Sequence, residues 1–417
     1  MAKFIIQGGK SLEGEIEVSG AKNAGLKMMA AALLTDQTIK LNQVPDIRDI
    51  QTMKTILEKL GATVQFTNHQ VTVNCSNVKK PEPDYQLVKH MRGSVVVIGP
   101  LLARFGQTKI PQPGGCLIGS RPIDTHINAL KQLNVEYEQD QDYYYFKTKG
   151  LKGTRVVLDE MSVTATENVL MAATLAKGKT EIHLAASEPE IEDLAKMLNN
   201  MGAKIKGAGT PVIVVEGVKK LHTVEHTVIP DRIEAGTLAI AAAVSRGNVY
   251  IKNIIPSHLD IVLQKFKKAN VNFVIKNNIL HIKPTTIFNP ISIDTRPYPG
   301  YPTDLQAPLS VLLTQANGTS RIFETMYEGR LGYVKELEKM GADIKMLDSH
   351  TIVINGPTPL YGKKITSFDI RAGATLIIAA LIGQGESVID RIELVDRGYE
   401  KLEERLKKLG AGVKRVD

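Results

Sequence analysis

Apolar positions along this chain set out two alternating kinds of helix. In the first kind, residues 24–34, 95–104, 167–176, 234–244, 305–313 and 372–381, Ala, Leu, Ile and Gly fill nearly every side, so each helix is expected to be buried all round. Their starts recur about every 70 residues. After most of them comes a short extended stretch, such as 180–184 or 249–254, and then a second helix with Lys and Glu on one face, which belongs on the outside.

The second helices share a stop signal. Leu60-Gly61-Ala62, Met201-Gly202-Ala203, Met340-Gly341-Ala342 and Leu409-Gly410-Ala411 place Gly where a helix closes on a left-handed residue. Leu133-Asn134-Val135 and Ala269-Asn270-Val271 use Asn, which tolerates the same backbone region. Alternating stretches at 71–73, 212–215, 279–282 and 351–354 then predict strand pairs. Six copies of one α/β unit result. They predict two lobes of three units, one formed by residues 22–229 and the other by 1–21 with 230–417, the break falling near 228–231 where the fourth unit opens. A continuous solenoid is the alternative, but units of about 70 residues exceed the usual 20–50 of such repeats. The junction of two lobes is the default place for a ligand.

Composition narrows the function classes. With 43% hydrophobic and 23% charged residues, the 417-residue chain is neither disordered nor fibrous and is long enough for two or three cores. Its apolar runs are broken well short of the roughly 18 residues of a membrane span, and its first residues lack a signal-peptide pattern, so a cytoplasmic protein without membrane partners is expected. The net charge of +8 is spread without a long basic run; with no Trp and no nucleic-acid motif, it suits a small phosphate-bearing molecule better than DNA or RNA. Walker-type, Gly-x-Gly-x-x-Gly, His-Glu-x-x-His and Cys-x-x-Cys patterns are missing, so nucleotide hydrolysis, dinucleotide redox chemistry and zinc catalysis have no motif here.

Candidate chemistry gathers at the starts of the buried helices: Lys22-Asn23, Arg92, Thr164 and Thr166, Arg232, Asp304 and Arg371. A Thr or Asp in such a place is commonly an N-cap, and Thr303-Asp304 fits that role. Lys22, Arg92, Arg232 and Arg371 are different, because a cation is repelled by the positive end of a helix unless an anion intervenes, either a ligand or a structural carboxylate. Cys116 lies in a loop with three Gly and three Pro, close to Arg121, whose charge would favour thiolate; an acid, base or nucleophile is expected there. Cys75 ends an alternating strand and reads as an inert core residue. The rigid Arg296-Pro297-Tyr298-Pro299-Gly300-Tyr301-Pro302-Thr303 approach would fix Asp304 as a base.

Five stretches carry a resemblance. Ser19-Gly20-Ala21-Lys22-Asn23, Pro113-Gly114-Gly115-Cys116 through Arg121-Pro122-Ile123-Asp124, Pro230-Asp231-Arg232-Ile233-Glu234, Pro302-Thr303-Asp304 and Asp396-Arg397-Gly398-Tyr399-Glu400 resemble, in order along the whole chain, the UDP-N-acetylglucosamine 1-carboxyvinyltransferase family. The related EPSP synthases share the architecture and lack the Gly-Gly-Cys loop. The resemblance implies the enolpyruvyl transferase fold, a two-lobed inside-out α/β barrel of six repeats. It also implies transfer of the enolpyruvyl group of phosphoenolpyruvate to the 3-hydroxyl of UDP-N-acetylglucosamine with release of phosphate, the first committed step of peptidoglycan synthesis, without metal or organic cofactor. On this likeness Cys116 is the acid and the target of fosfomycin, and Asp304 is the base. Lys22, Arg121 and Arg397 bind phosphoenolpyruvate, Arg92 and Arg371 line the anionic site, and Asn23 positions the sugar. The uridine diphosphate pocket maps onto Arg121, Pro122, Ile123, Asp124, Thr125, Ser162, Val163 and Thr164, with the sugar also reaching Asp304 and the backbone of Met326. Two positions depart from the family pattern: Thr164 stands where Gly is common, and Gly329 where Asn is. The alternative is a catalytically silent relative that binds the nucleotide sugar or a regulatory partner; retention of Lys22, Cys116, Asp304 and Arg397 together speaks against it.

Overall fold

The computed structural model describes residues 2–112 and 122–416. They divide into two compact units, residues 2–19 with 230–416 and residues 20–112 with 122–229, each around its own apolar cluster. The six all-apolar segments form helices α1 (Lys22–Ala31), α4 (Ile98–Phe105), α6 (Val163–Ala173), α8 (Arg232–Val244), α10 (Thr303–Leu313) and α12 (Ile370–Ile382). A 3-10 stretch, Arg92–Val97, leads into α4. Almost every residue of α8 and α12 is buried, as an all-round apolar sequence requires. In the unit that contains them, α8, α10 and α12 pack on one another; in the other, α4 packs on α6.

The outer helices are α2 (Arg48–Leu60), α5 (Asp124–Gln132), α7 (Pro189–Asn200), α9 (Asp260–Lys268), α11 (Val334–Lys339) and α13 (Leu402–Lys408), with a further short helix, α3 (Tyr85–His90). Their stops are left-handed as the sequence predicts. Gly61, Gly202, Gly341 and Gly410 have φ of 106°, 101°, 105° and 90°, and Asn134 and Asn270 have φ of 70° and 63°. Only a small or locally hydrogen-bonded side chain takes this conformation cheaply, which is why these two residue types recur.

Each unit carries three sheets. Five of them have four strands and share one plan: an antiparallel trio extended by one parallel strand. In three cases the parallel strand immediately precedes a buried helix and the strand beside it follows that helix, as with Lys364–Thr366, α12 and Glu386–Asp390. The other two cases exchange partners: Glu13–Glu17, which precedes α1, pairs with Asn248–Lys252, whereas Val224–Thr227, which precedes α8, pairs with Thr38–Asn42. The chain therefore leaves the first unit after residue 19 and returns to it at residue 230. Strand Lys3–Gln7 lies between Glu386–Asp390 and Gly412–Val416, antiparallel to both. No helix among the described residues is long and apolar enough to cross a membrane.

The expected cap at α10 is a correction. Pro302 occupies that position without a side-chain cap, the Thr303 hydroxyl donates to Oε2 of Glu324 at 2.6 Å, and Asp304 is drawn into an arginine pair. Side-chain caps occur instead one residue before other buried helices. Asp231 accepts from the amides of Ile233 and Glu234, Asp369 from those of Arg371 and Ala372, and Ser162 from that of Ala165.

Candidate active-site residues

In the unit containing residues 230–416, one network surrounds Asp304. Arg330 Nη2 donates to its Oδ1, and Arg371 Nη2 donates to its Oδ2 at 3.0 Å. The two arginine side chains are 7% exposed and Asp304 25%. Burial by itself would raise the Asp304 carboxyl, but the charges of Arg371 and Arg330 and their hydrogen bonds outweigh it and hold the group well below the usual carboxylate range. Arg371 also donates from Nη1 to the buried Tyr399 hydroxyl at 3.0 Å. Thr237 spends its own proton on the Ile233 carbonyl, so at 2.9 Å it receives the proton of Tyr399. The guanidinium of Arg371 is thus held by Asp304 of α10 and by Tyr399, after α12, whose hydroxyl is anchored in turn by Thr237 of α8.

Glu324 organises the neighbouring loop: through Oε1 it accepts from the Thr295 hydroxyl at 2.9 Å and from the Met326 amide at 2.9 Å. Arg397 ends a short helical turn, Ile392–Arg397, and is partly buried. Arg232 lies over the Tyr298 ring, 5.4 Å from its centroid.

In the unit of residues 20–229, Lys22 at the start of α1 meets Asp49 of α2 at 2.6 Å, both nearly buried. A structural carboxylate thus stands beside this cation, one of the two outcomes that its position allowed. Asn23 follows it, partly buried. A second group is drawn together by two bonds: Arg92 Nη2 donates to the Pro122 carbonyl at 3.1 Å, and His126 meets Thr164 at 3.0 Å. These bring Arg92 and residues 122–126, at the head of α5, to Ser162, Val163 and Thr164 at the head of α6. Ile123 is buried, Asp124 exposed and Thr125 between.

Cys116 and Arg121 lie outside the described residues. Cys75 is fully buried, and burial, opposed only by the charge of Arg104, pushes its thiol up to about 12, so it stays protonated and unreactive at neutral pH. Arg330, His126 and Tyr399 are members of these networks that the sequence did not single out for chemistry. Tyr399 lies in one of the five resembling stretches, and the other two carried no local signal, because their partners, Asp304 and Thr164, are 26 and 38 residues away. Among the described residues, no group of three or more His, Cys, Asp and Glu is placed to hold a metal.

Comparison with known proteins gives one consistent picture. The family model for EPSP synthase (3-phosphoshikimate 1-carboxyvinyltransferase) matches residues 6–406. A UDP-N-acetylglucosamine 1-carboxyvinyltransferase of Koribacter versatilis is 44% identical over all of this chain and 97% of its own length. One from Halothermothrix orenii is 46% identical, with both chains fully covered. Among solved structures, the enolpyruvyl transferase NikO from Streptomyces tendae superposes with a TM-score of 0.90 at 24% identity, covering 100% of this chain and 99% of its own. EPSP synthase from Acinetobacter baumannii gives 0.78 at 18%, with both chains fully covered. The fold is that of the enolpyruvyl transferases, and by sequence the chain belongs to the EPSP synthase family and, within it, to the UDP-N-acetylglucosamine 1-carboxyvinyltransferases.

Proposed function

We propose that this chain transfers the enolpyruvyl group of phosphoenolpyruvate to the 3-hydroxyl of UDP-N-acetylglucosamine, releasing phosphate, as the cytoplasmic first committed step of peptidoglycan synthesis. The observation that carries the reading is full-length identity of 44–46% to relatives bearing that name. The doubly paired Asp304 and the group at the heads of α5 and α6 support it, since both substrates are polyanions.

The reaction is an addition followed by an elimination. The sugar hydroxyl oxygen bonds to C2 of phosphoenolpyruvate while a proton is added to C3, giving a tetrahedral intermediate. Loss of a proton from C3 then expels phosphate and restores the double bond. Cys116 supplies the proton to C3, and Asp304 takes the hydroxyl proton; the two belong to different halves of the chain, residues 22–229 and 230–417. Lys22, Arg121 and Arg397 hold phosphoenolpyruvate, with Arg92 and Arg371 adding positive charge and Asn23 aligning the sugar. Residues 121–125 and 162–164 hold the uridine diphosphate, and the Met326 carbonyl meets the sugar.

The arginine pairing sets a condition on the base. A carboxylate held by two guanidiniums is a weak proton acceptor. An arriving phosphate or carboxylate that draws Arg330 or Arg371 toward itself raises the proton affinity of Asp304 when the hydroxyl must be deprotonated. Substrate charge and base strength are thereby coupled.

Phosphate release on mixing both substrates tests the activity, and its absence across pH and salt overturns the reading in favour of a silent binder. Exposure to fosfomycin followed by mass spectrometry is expected to give one adduct, on Cys116, with Cys75 unmodified. Cys116→Ala is expected to lose most turnover while unfolding at the parent temperature; a folded variant with parental turnover removes the acid role.

A further inference from the structure

Three side chains in the unit of residues 20–229 form a run of hydrogen bonds that has only one possible direction. Asn168 of α6 is completely buried, and its amide is oriented from both ends: Oδ1 accepts from the Gly99 backbone N–H at 2.6 Å, and Nδ2 donates to the Val95 carbonyl at 3.0 Å. A flipped amide would set donor against donor at Gly99 and acceptor against acceptor at Val95. The same Nδ2 lies 3.0 Å from Nδ1 of His126, so Nδ1 accepts. His126 is 3% exposed, and burial together with the charge of Arg92 pushes its pKa down to about 3. The ring is therefore neutral, with its one proton on Nε2, and Nε2 donates to Thr164 Oγ1 at 3.0 Å.

Thr164 receives a hydrogen bond and has its own hydroxyl proton left to give, and among the described residues no acceptor takes it. It stands, partly exposed, in the first turn of the 11-residue helix α6. There the amides of Val163 and Thr164 have no helical acceptor, and the Ser162 side chain answers Ala165. A hydroxyl donor and two amide donors within one turn, at the positive end of a helix, suit an anionic oxygen.

We propose that Asn168 and His126 are positioning residues that commit the Thr164 hydroxyl to donate to a diphosphate oxygen of the nucleotide sugar. The inference rests on the UDP-N-acetylglucosamine reading above. A threonine free to rotate could also accept, and would have to give up that choice on binding; here the choice is made before the ligand arrives, so less ordering is required of the complex.

The test is calorimetric titration of the full chain with uridine diphosphate and with UDP-N-acetylglucosamine. Thr164→Val, which keeps the shape and removes the donor, is expected to weaken both about tenfold, as loss of a hydrogen bond to a charged acceptor does. Thr164→Ser is expected to stay within about twofold of the parent, and Thr164→Ala serves as the donor-free variant if the valine form unfolds. Nitrogen-15 NMR of histidine-labelled parent protein is expected to show His126 neutral and protonated on Nε2 between about pH 5.5 and 8, a signature that a merely space-filling ring would not hold. Parental affinity in both donor-free variants, or a ring that titrates in that range or carries its proton on Nδ1, overturns the proposal. If the parent binds neither nucleotide, the substrate reading itself falls, a result distinct from loss of the difference between variants.

Discussion

Asp304 shows how one residue is set by neighbours that the sequence does not place beside it. Its two arginine partners are 26 and 67 positions away, so the local pattern, which offered a cap or a base fixed by a rigid approach, could not show the pairing. Removing the charge strands two guanidiniums that are 7% exposed. Asp304→Asn is therefore expected to lower stability by about 3 kcal/mol at pH 7, measured by urea unfolding. Because folding depresses this pKa below its ordinary 3.8, the contribution is complete above about pH 4 and shrinks as pH falls below it, so the gap between parent and variant should narrow only there. Equal stability at pH 7 would count against the pairing. Cys75 was easier to read, since an alternating strand buries its ends by local rules alone. Arg330 was not legible, because nothing in Glu328-Gly329-Arg330 announces where its guanidinium goes.

The elements were legible to different degrees for the same physical reason. Helix stops depend on the conformation of one residue, so all six left-handed positions could be read from Gly and Asn. The starts could not, because the choice between a cap, an ion pair and a ligand contact depends on residues from other elements. Two glycines separate backbone strain from packing. At Gly410, with φ of 90°, an added Cβ would meet only the Ser11 carbonyl at 4.0 Å, so Gly410→Ala is expected to cost about 1 kcal/mol from conformation alone. At Gly99 an added Cβ would run into the backbone carbonyl of Asn168, where α4 crosses α6. Gly99→Ala is expected to cost about 3 kcal/mol and to disturb the amide that orients His126. Chemical denaturation of the two variants ranks the effects, and a larger loss at position 410 would contradict this account.

At the scale of the whole chain, the sixfold recurrence was open to reading because each copy repeats the same helix, stop and strand pattern. The sheet partners were not. Strand pairing joins segments far apart in sequence, and alternation says which face of a strand is buried but not which strand lies beside it. The exchange of Glu13–Glu17 and Val224–Thr227 between the two units has no local signature. A consequence follows from strand Lys3–Gln7, which lies directly against Gly412–Val416 with Lys3 opposite Val416. Lys3 and Val416 are neighbours, about 5 Å apart across the ladder. A short peptide could join them, and the resulting ring could be opened in the exposed hairpin turn between Asp348 and Ser349. Such a circular permutant should fold cooperatively and release phosphate as the parent does; one that stayed unfolded would mean that the order in which the strands are made, and not only their final pairing, decides whether this protein reaches its native state.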